Sequence, residues 1–181
     1  MPLMITIDEN ELFDNRTNMF IQVPSTTIVL EHSLISISKW EAKWHKPWLD
    51  KNEKTPDEMI DYIKCMSIKG EIPDNVIYGL TQEDNQRIID YIHDPMTATT
   101  FKKSNKPPKQ SNFVTSETLY ACMVSYGVPV QFEKWHLNRL LTLLKVLEEN
   151  NKEPTKRSQA DIVRDYARIN AANRAKFKSR G

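Results

Sequence analysis

Glycine is scarce in this chain of 181 residues, which contains only four, so glycine-rich phosphate loops and flexible glycine linkers are excluded. Cysteine is rarer still: Cys65 and Cys122 lie in separate apolar segments without a C-x-x-C motif, which predicts buried free thiols and no disulfide framework. No apolar run approaches the roughly 20 residues of a transmembrane helix. The N-terminus also lacks the pattern of a signal peptide. These absences predict a cytoplasmic protein without a membrane segment.

Net charge is almost absent as well, because 25 basic side chains offset 24 acidic ones. The distribution is uneven, however. Residues 152–181 carry nine basic and three acidic side chains, residues 102–110 carry four lysines and no acid, and the rest of the chain has a net charge of −9. Near-neutrality argues against a general nucleic-acid binder. A basic tail on an acidic body favours a directional contact with another protein.

The first thirty residues are β-prone. Segments 3–7, 19–23 and 26–30 are rich in Val, Ile and Thr, and a polar stretch at 8–18 has the composition of a turn. From residue 33 onward apolar residues recur at helical spacing. The sequence therefore predicts an α+β fold: a small N-terminal antiparallel sheet of two or three strands, then a mostly helical bundle and a protruding C-terminal helix.

Two signals mark helix starts within the bundle, at residues 55–58 (TPDE) and 81–84 (TQED), where a threonine precedes a first turn rich in acids. The strongest predicted helix spans 132–149 and carries a dense leucine stripe. The predicted organisation is a globular domain over residues 1–150, with a basic linker at 102–113 within it, and a basic C-terminal helix or extension over 151–181.

Catalytic signatures are missing. The four histidines do not pair at metal-ligand spacing, and no nucleophile elbow, phosphate loop or dinucleotide fingerprint is present. The acid pairs at helix starts are explained by capping. His136, on the leucine-rich segment, is predicted to be a packed structural histidine. We predict no enzyme, no catalytic residues, no cofactor and no metal.

Three tryptophans recur every four residues, at Trp40, Trp44 and Trp48, and lysines lie between them. The sequence predicts a partner-binding patch, because tryptophan beside basic residues is a common interface anchor. Two alternatives remain: core packing for Trp40 and Trp44, and base stacking. Trp48 follows Pro47 and is expected to be the most exposed of the three.

The C-terminal segment carries a narrow apolar stripe among basic residues, and we predict that it binds a partner. Its alternatives are a solvated terminal helix and a phosphate-binding segment. Residues from about Lys156 onward are predicted to be dispensable for folding but needed for partner binding. The stripe consists of Ile162, Tyr166, Ile169 and Phe177, and its cations are Arg164, Arg168, Arg174 and Lys176.

Several strings in the chain resemble those of a family of small proteins from tailed bacteriophages, encoded among the genes for virion morphogenesis. The resemblance covers nearly the whole chain, and its strings are not catalytic signatures. They are VPST at 23–26, LEHSLISISKWE at 30–41, MTATTF at 96–101, WHLNRL at 135–140 and the close over 168–181.

The resemblance implies a tail assembly chaperone, a non-catalytic protein of the host cytoplasm with a short β-hairpin, a helical body and a C-terminal extension for contacts. Its implied partners are the tape-measure and tail-tube proteins, with self-association left open. An alternative is a structural virion component, a connector, tail or capsid-associated subunit whose basic extension contacts a neighbouring subunit. A nucleic-acid-binding accessory protein is a third hypothesis, supported only by the two basic segments.

Overall fold

A computed structural model of the chain describes residues 1–15, 18–101, 114–151 and 159–177. These residues form four strands, seven α-helices and one 3-10 helix, and the predicted α+β class is confirmed. The strands are β1 (Leu3–Ile7), β2 (Asn10–Asp14), β3 (Met19–Val23) and β4 (Thr26–Leu30). The helices are α1 (Leu34–Trp44), α2 (Pro56–Cys65), α3 (Asp74–Tyr78), α4 (Gln82–His93), α5 (Ser116–Ser125), the 3-10 helix (Val130–Lys134), α6 (Leu137–Asn151) and α7 (Gln159–Phe177).

The chain divides into two compact units, residues 1–147 and residues 148–181. The predicted linker at 102–113 lies outside the described residues. Among the helices that the structure describes, none is both long and apolar enough to cross a membrane.

The four strands form a single long hairpin. β1 pairs antiparallel with β4, from Leu3 opposite Leu30, and β2 pairs antiparallel with β3, from Asn10 opposite Val23. The two residue numbers of every pair add up to 33, so one register runs through both pairings. Only the stretch where residues 8–9 face residues 24–25 lies outside the ladders, and Pro24 has no N–H to donate there. We call β1 with β4 the inner ribbon and β2 with β3 the outer ribbon.

The strand β2 corrects the prediction of a polar turn over 8–18. Three of its five residues are polar, which favoured a turn in the sequence. The pairing with β3 stabilises the strand nonetheless, because a half-exposed ribbon tolerates polar side chains at alternate positions. The N-terminal sheet structure therefore has four strands within the described residues, one more than the upper prediction.

The buried side of the hairpin changes between its two halves. In the inner ribbon Ile5 and Ile7 are buried. In the outer ribbon the odd-numbered Phe13 of β2 is exposed, and the neighbouring Leu12 is partly buried instead. Because side chains alternate along a strand, the outer ribbon turns its opposite face to the protein.

Both predicted helix-start signals are confirmed. Thr55 accepts from the Glu58 backbone N–H at 3.3 Å, and the Glu58 carboxylate accepts in return from the Thr55 N–H at 2.8 Å. Thr81 and Asp84 form the same reciprocal pair at the start of α4. These capping boxes satisfy backbone N–H groups that the first helical turn leaves without partners.

The leucine-rich helix begins later than the predicted residue 132. A 3-10 helix (Val130–Lys134) comes first, Trp135 is extended, and α6 starts at Leu137. The Leu137 N–H donates to the carbonyl of His32 at 2.7 Å, and His136 forms an isolated antiparallel bridge with Ser33. This tertiary pairing interrupts the helical periodicity, and a single sequence window does not contain it.

The hydrophobic core of the first unit joins the inner ribbon and Val23 of β3 to the helices α1 to α6. Trp40 and Tyr62 are its largest fully buried side chains. Every hydrophobic side chain that is buried among the described residues lies between Ile5 and Leu144. The core thus belongs to the first unit alone.

Candidate functional site

The first predicted contact residue, Trp40, is fully buried. Its indole Nε1 donates to the carbonyl of Glu58 at 2.8 Å, which joins α1 to α2. A partner cannot reach this ring in the folded protein, so the core alternative describes Trp40. Its burial also supplies a large part of the contact between the two helices.

Trp44 and Trp48 are both partly buried and pack against the same core. Trp44 Nε1 donates to the Asp61 carboxylate at 3.1 Å, and Asp61 also pairs with Lys43 at 2.5 Å. Trp48 stacks on Tyr62 with ring centroids 3.5 Å apart. Trp48, which the sequence predicts to be exposed, is partly buried as Trp44 is, because the chain after α1 folds back and its ring packs on Tyr62 of α2.

A buried carboxylate that the sequence analysis did not single out holds this fold-back in place. Glu41 accepts from the Trp48 backbone N–H at 2.7 Å through Oε1 and from the Ser116 N–H at 2.8 Å through Oε2. It therefore ties the segment after α1 to the first turn of α5. Burying a carboxylate is costly unless donors surround it, and these two N–H groups provide them. The only sequence signal is an acid on the apolar face of α1.

Lys54 packs against the cluster formed by Trp40, Trp44 and Trp48. Its Nζ lies 5.9 Å from the Trp40 ring centroid and 5.6 Å from that of Trp48, within cation–π range. It also pairs with Asp50, and this hydrogen bond is the main reason why the pKa of the Asp50 carboxyl lies below its ordinary value. Of the lysines between the tryptophans, Lys43 and Lys46 have their Nζ atoms 6.0 Å and 5.8 Å from the Trp44 ring centroid, so they pack against the cluster as well.

Two histidines contact each other where β4 leads into α1. His32 and His136 are both buried, with ring centroids 5.1 Å apart. Burial raises the pKa of Tyr62 well above its ordinary value, so its hydroxyl stays protonated and donates to His32 Nδ1 at 2.5 Å. His136 Nε2 donates to the Tyr91 carbonyl at 2.9 Å, which confirms the prediction of a structural histidine. Within the described part of the chain, His136 Nδ1 has no hydrogen-bond partner.

This pair predicts a loss of stability in mild acid. Burial, and then the neighbouring His136 and His93, lower the pKa of His32 from 6.5 to about 3. Below pH 6.5 His32 becomes protonated in the unfolded chain but stays neutral in the folded chain. The free energy of unfolding therefore falls as the pH falls. Between pH 7 and pH 5 the loss from this residue is about 2 kcal/mol. Urea unfolding at a series of pH values measures it.

The matched variants are His32→Asn and His45→Asn. His45 is exposed and ends α1 with a positive φ of 52°, a conformation that asparagine tolerates. We expect His32→Asn to flatten the pH dependence between pH 7 and pH 5, and His45→Asn to retain it. Equal slopes in the wild type and His32→Asn would contradict the assignment.

The C-terminal candidates lie on α7, a helix of 19 residues in the second unit. Tyr166 is 64% exposed and Ile169 is 50% exposed, on one face by helical spacing. Val163, which the sequence analysis did not include, adds a third exposed apolar side chain at 63%. The cations Arg164, Arg168, Arg174 and Lys176 are exposed as well. Ile162 and Phe177 fall within the helix bounds, but their side chains lie outside the described part.

A second exposed apolar group was missed because it lies in the unpredicted strand. Phe13 of β2 and Phe20 of β3 face each other across the outer ribbon, with ring centroids 5.1 Å apart. Their exposed fractions are 50% and 63%. The signal in the sequence is the pair of apolar runs, LF at 12–13 and MFI at 19–21, on the two sides of a short polar loop.

No group of three or more histidines, cysteines or acids within the described ranges is placed to hold a metal ion. Comparison with known proteins identifies no relative: no family model, no curated protein and no solved structure matches the chain. The exposed surfaces of the two units are therefore the features from which a function can be inferred.

Proposed function

We propose that this chain is a non-catalytic binding protein of bacteriophage virion assembly, of the tail assembly chaperone kind. In this role α7 binds acidic helical segments of the tape-measure protein and keeps that protein soluble while tail-tube subunits are recruited. The proposed site of action is the host cytoplasm. The resemblance of the sequence strings and the exposed faces of α7 support the proposal.

The exposure of α7 is the observation that carries the proposal. A helix of 19 residues that leaves Val163, Tyr166 and Ile169 open to solvent has apolar area to bury against a partner. The two arginines Arg164 and Arg168 add positive charge on another side of the same helix, where Arg168 lies 3.7 Å from Asp165. An acidic, amphipathic helix complements both features.

The first experiment separates a chaperone from a structural virion component. Purified particles and the lysate they came from are compared by quantitative mass spectrometry. A chaperone is expected in the lysate and absent from particles. A stoichiometric amount in particles would favour the alternative, a structural subunit whose basic extension contacts its neighbour.

The second experiment tests the surface. The full chain is co-expressed with the tape-measure protein of the phage that encodes it, and the soluble, co-eluting fraction is measured. Replacing both Tyr166 and Ile169 by serine is expected to weaken binding at least tenfold, which corresponds to a loss of about 1.4 kcal/mol or more.

Asn170→Ser with Ala171→Ser is the matched control, because it changes two residues of the same helix without removing a large apolar side chain. Its binding should equal that of the wild type. Loss of binding in both double variants would indicate a disturbed helix, and no loss in either would refute the role of this face.

A further inference from the structure

The outer ribbon presents a second surface, in the first unit, that the proposed function does not use. Phe13 and Phe20 form a cross-strand aromatic pair that is more than half open to solvent on average. Met19, next to Phe20, is 64% exposed on the opposite face. Exposed large apolar side chains that contact each other, as Phe13 and Phe20 do, mark an interaction site more often than isolated ones do.

The outer ribbon is held firmly at its base. Asn75 Nδ2 donates to the Gln22 carbonyl at 2.9 Å, and Val23 is fully buried. Gly79 lies so close that a Cβ there would be 2.5 Å from Val23 Cγ1 and 2.9 Å from Ile7 Cγ2. Only glycine allows this approach. A fixed base gives the aromatic pair a defined position, which lowers the entropic cost of binding.

One edge of the outer ribbon is open. Among the residues that the structure describes, β2 pairs with β3 and with no other strand. The opposite edge, on β3, is approached by α3 through the Asn75 hydrogen bond. The outer edge of β2 therefore offers backbone N–H and C=O groups to an added strand, apart from the Glu11 N–H, which donates to Asn10 Oδ1 at 2.8 Å.

The hairpin that contains the outer ribbon is also acidic. Within residues 1–30 the charged side chains are Asp8, Glu9, Glu11, Asp14 and a single arginine, which gives a net charge of −3. Glu11 lies on the same face as the aromatic pair and accepts from Gln22. A second copy of this ribbon would bring like charges together, so a basic strand is the better complement.

We propose that the outer edge of β2 receives an extended, basic segment of a partner protein, with apolar side chains at alternate positions. The segment adds a strand to β2, its apolar side chains cover Phe13 and Phe20, and its cations face the acids of the ribbon. The inference goes beyond the proposed function, because it concerns the first unit. Its ligand is basic, whereas the proposed ligand of α7 is acidic.

The probe is a fluorescent nine-residue peptide of alternating lysine and valine, and its counterpart alternates glutamate and valine. Fluorescence anisotropy with the full chain at low salt should show binding of the lysine peptide and none of the glutamate peptide. Amide hydrogen exchange on the bound protein should slow along β2. Raising the salt concentration should weaken binding, because exposed charges are screened.

The variant Phe13→Ser with Phe20→Ser, and separately Glu9→Lys, should each weaken binding of the lysine peptide at least fivefold. The matched controls are Val124→Ser, an exposed apolar residue of α5, and Glu83→Lys, an exposed acid of α4. Both should bind as the wild type does. Circular dichroism melting of each variant verifies the fold.

Equal binding of both peptides, or unchanged binding in the aromatic variant, would overturn the proposal. Sedimentation of the full chain tests the other occupant: an oligomer that the aromatic variant dissociates would assign the surface to a second copy and also overturn it. Variants of α7 should leave peptide binding intact, so that failure here is distinguishable from failure of the proposed function.

Discussion

Replacing Trp40 by alanine is expected to lower the free energy of unfolding by about 3–5 kcal/mol, the range for removing a large aromatic ring from a packed core. The side chain is fully buried, and its ring meets Trp48 edge-on with centroids 4.9 Å apart. The variant also leaves the Glu58 carbonyl without its indole donor. Urea unfolding followed by far-ultraviolet circular dichroism measures the loss without depending on tryptophan emission.

Two variants calibrate that result. Trp40→Phe keeps an aromatic ring but removes the N–H, and should cost less than the alanine variant. Ile68→Ala removes a side chain that is 54% exposed, and should change stability by less than about 0.5 kcal/mol. A loss below about 1 kcal/mol for Trp40→Ala would show that the tryptophan is not a core residue.

Removing residues 156–181 is expected to abolish the proposed binding of the tape-measure protein and to leave the first unit folded. All the buried hydrophobic side chains among the described residues lie between Ile5 and Leu144, so the deletion removes none of them. The unfolding free energy should change by less than about 1 kcal/mol. The helical signal should fall by the contribution of α7. Denaturation curves and co-elution on the same preparations test both halves of the prediction.

A charge-reversed full-length chain, Arg164→Glu with Arg168→Glu, is the companion to the deletion. It retains the exposed apolar side chains and reverses two cations, so it should bind an acidic partner weakly and fold normally. If the truncated chain unfolds or aggregates, the separation into a folding unit and a binding unit is wrong.

Local rules predicted much of this fold. The capping boxes at Thr55 and Thr81 depend on residues three positions apart, and both are visible in a short window. The stripe of α6 was predicted for the same reason, although its first turn was not. His136 forms a bridge with Ser33, which is distant in sequence, and this contact determines where α6 begins.

The candidate surfaces were less predictable, because burial depends on what the rest of the chain places nearby. The proline before Trp48 favours exposure when the sequence is considered alone, yet Tyr62 of α2 provides a stacking partner. The exposure of Phe13 depends on the change of buried face between the inner and outer ribbons. The alternation of side chains along β2 predicts two faces, but it does not predict which face packs against the rest of the protein.

The single register of the hairpin has a consequence for synthesis of the chain. All of its strand pairs form between residues 3 and 30, so the ribbon can close as soon as that segment leaves the ribosome. Leu137, Leu140 and Leu144, which complete the core cluster containing Ile5 and Leu30, are made more than 100 residues later. At a synthesis rate of about 5–20 residues per second, about 5–20 s pass between formation of the hairpin and synthesis of these leucines. During that interval the apolar face of the inner ribbon lacks these three leucines, and a folding factor that binds exposed apolar strands can protect it.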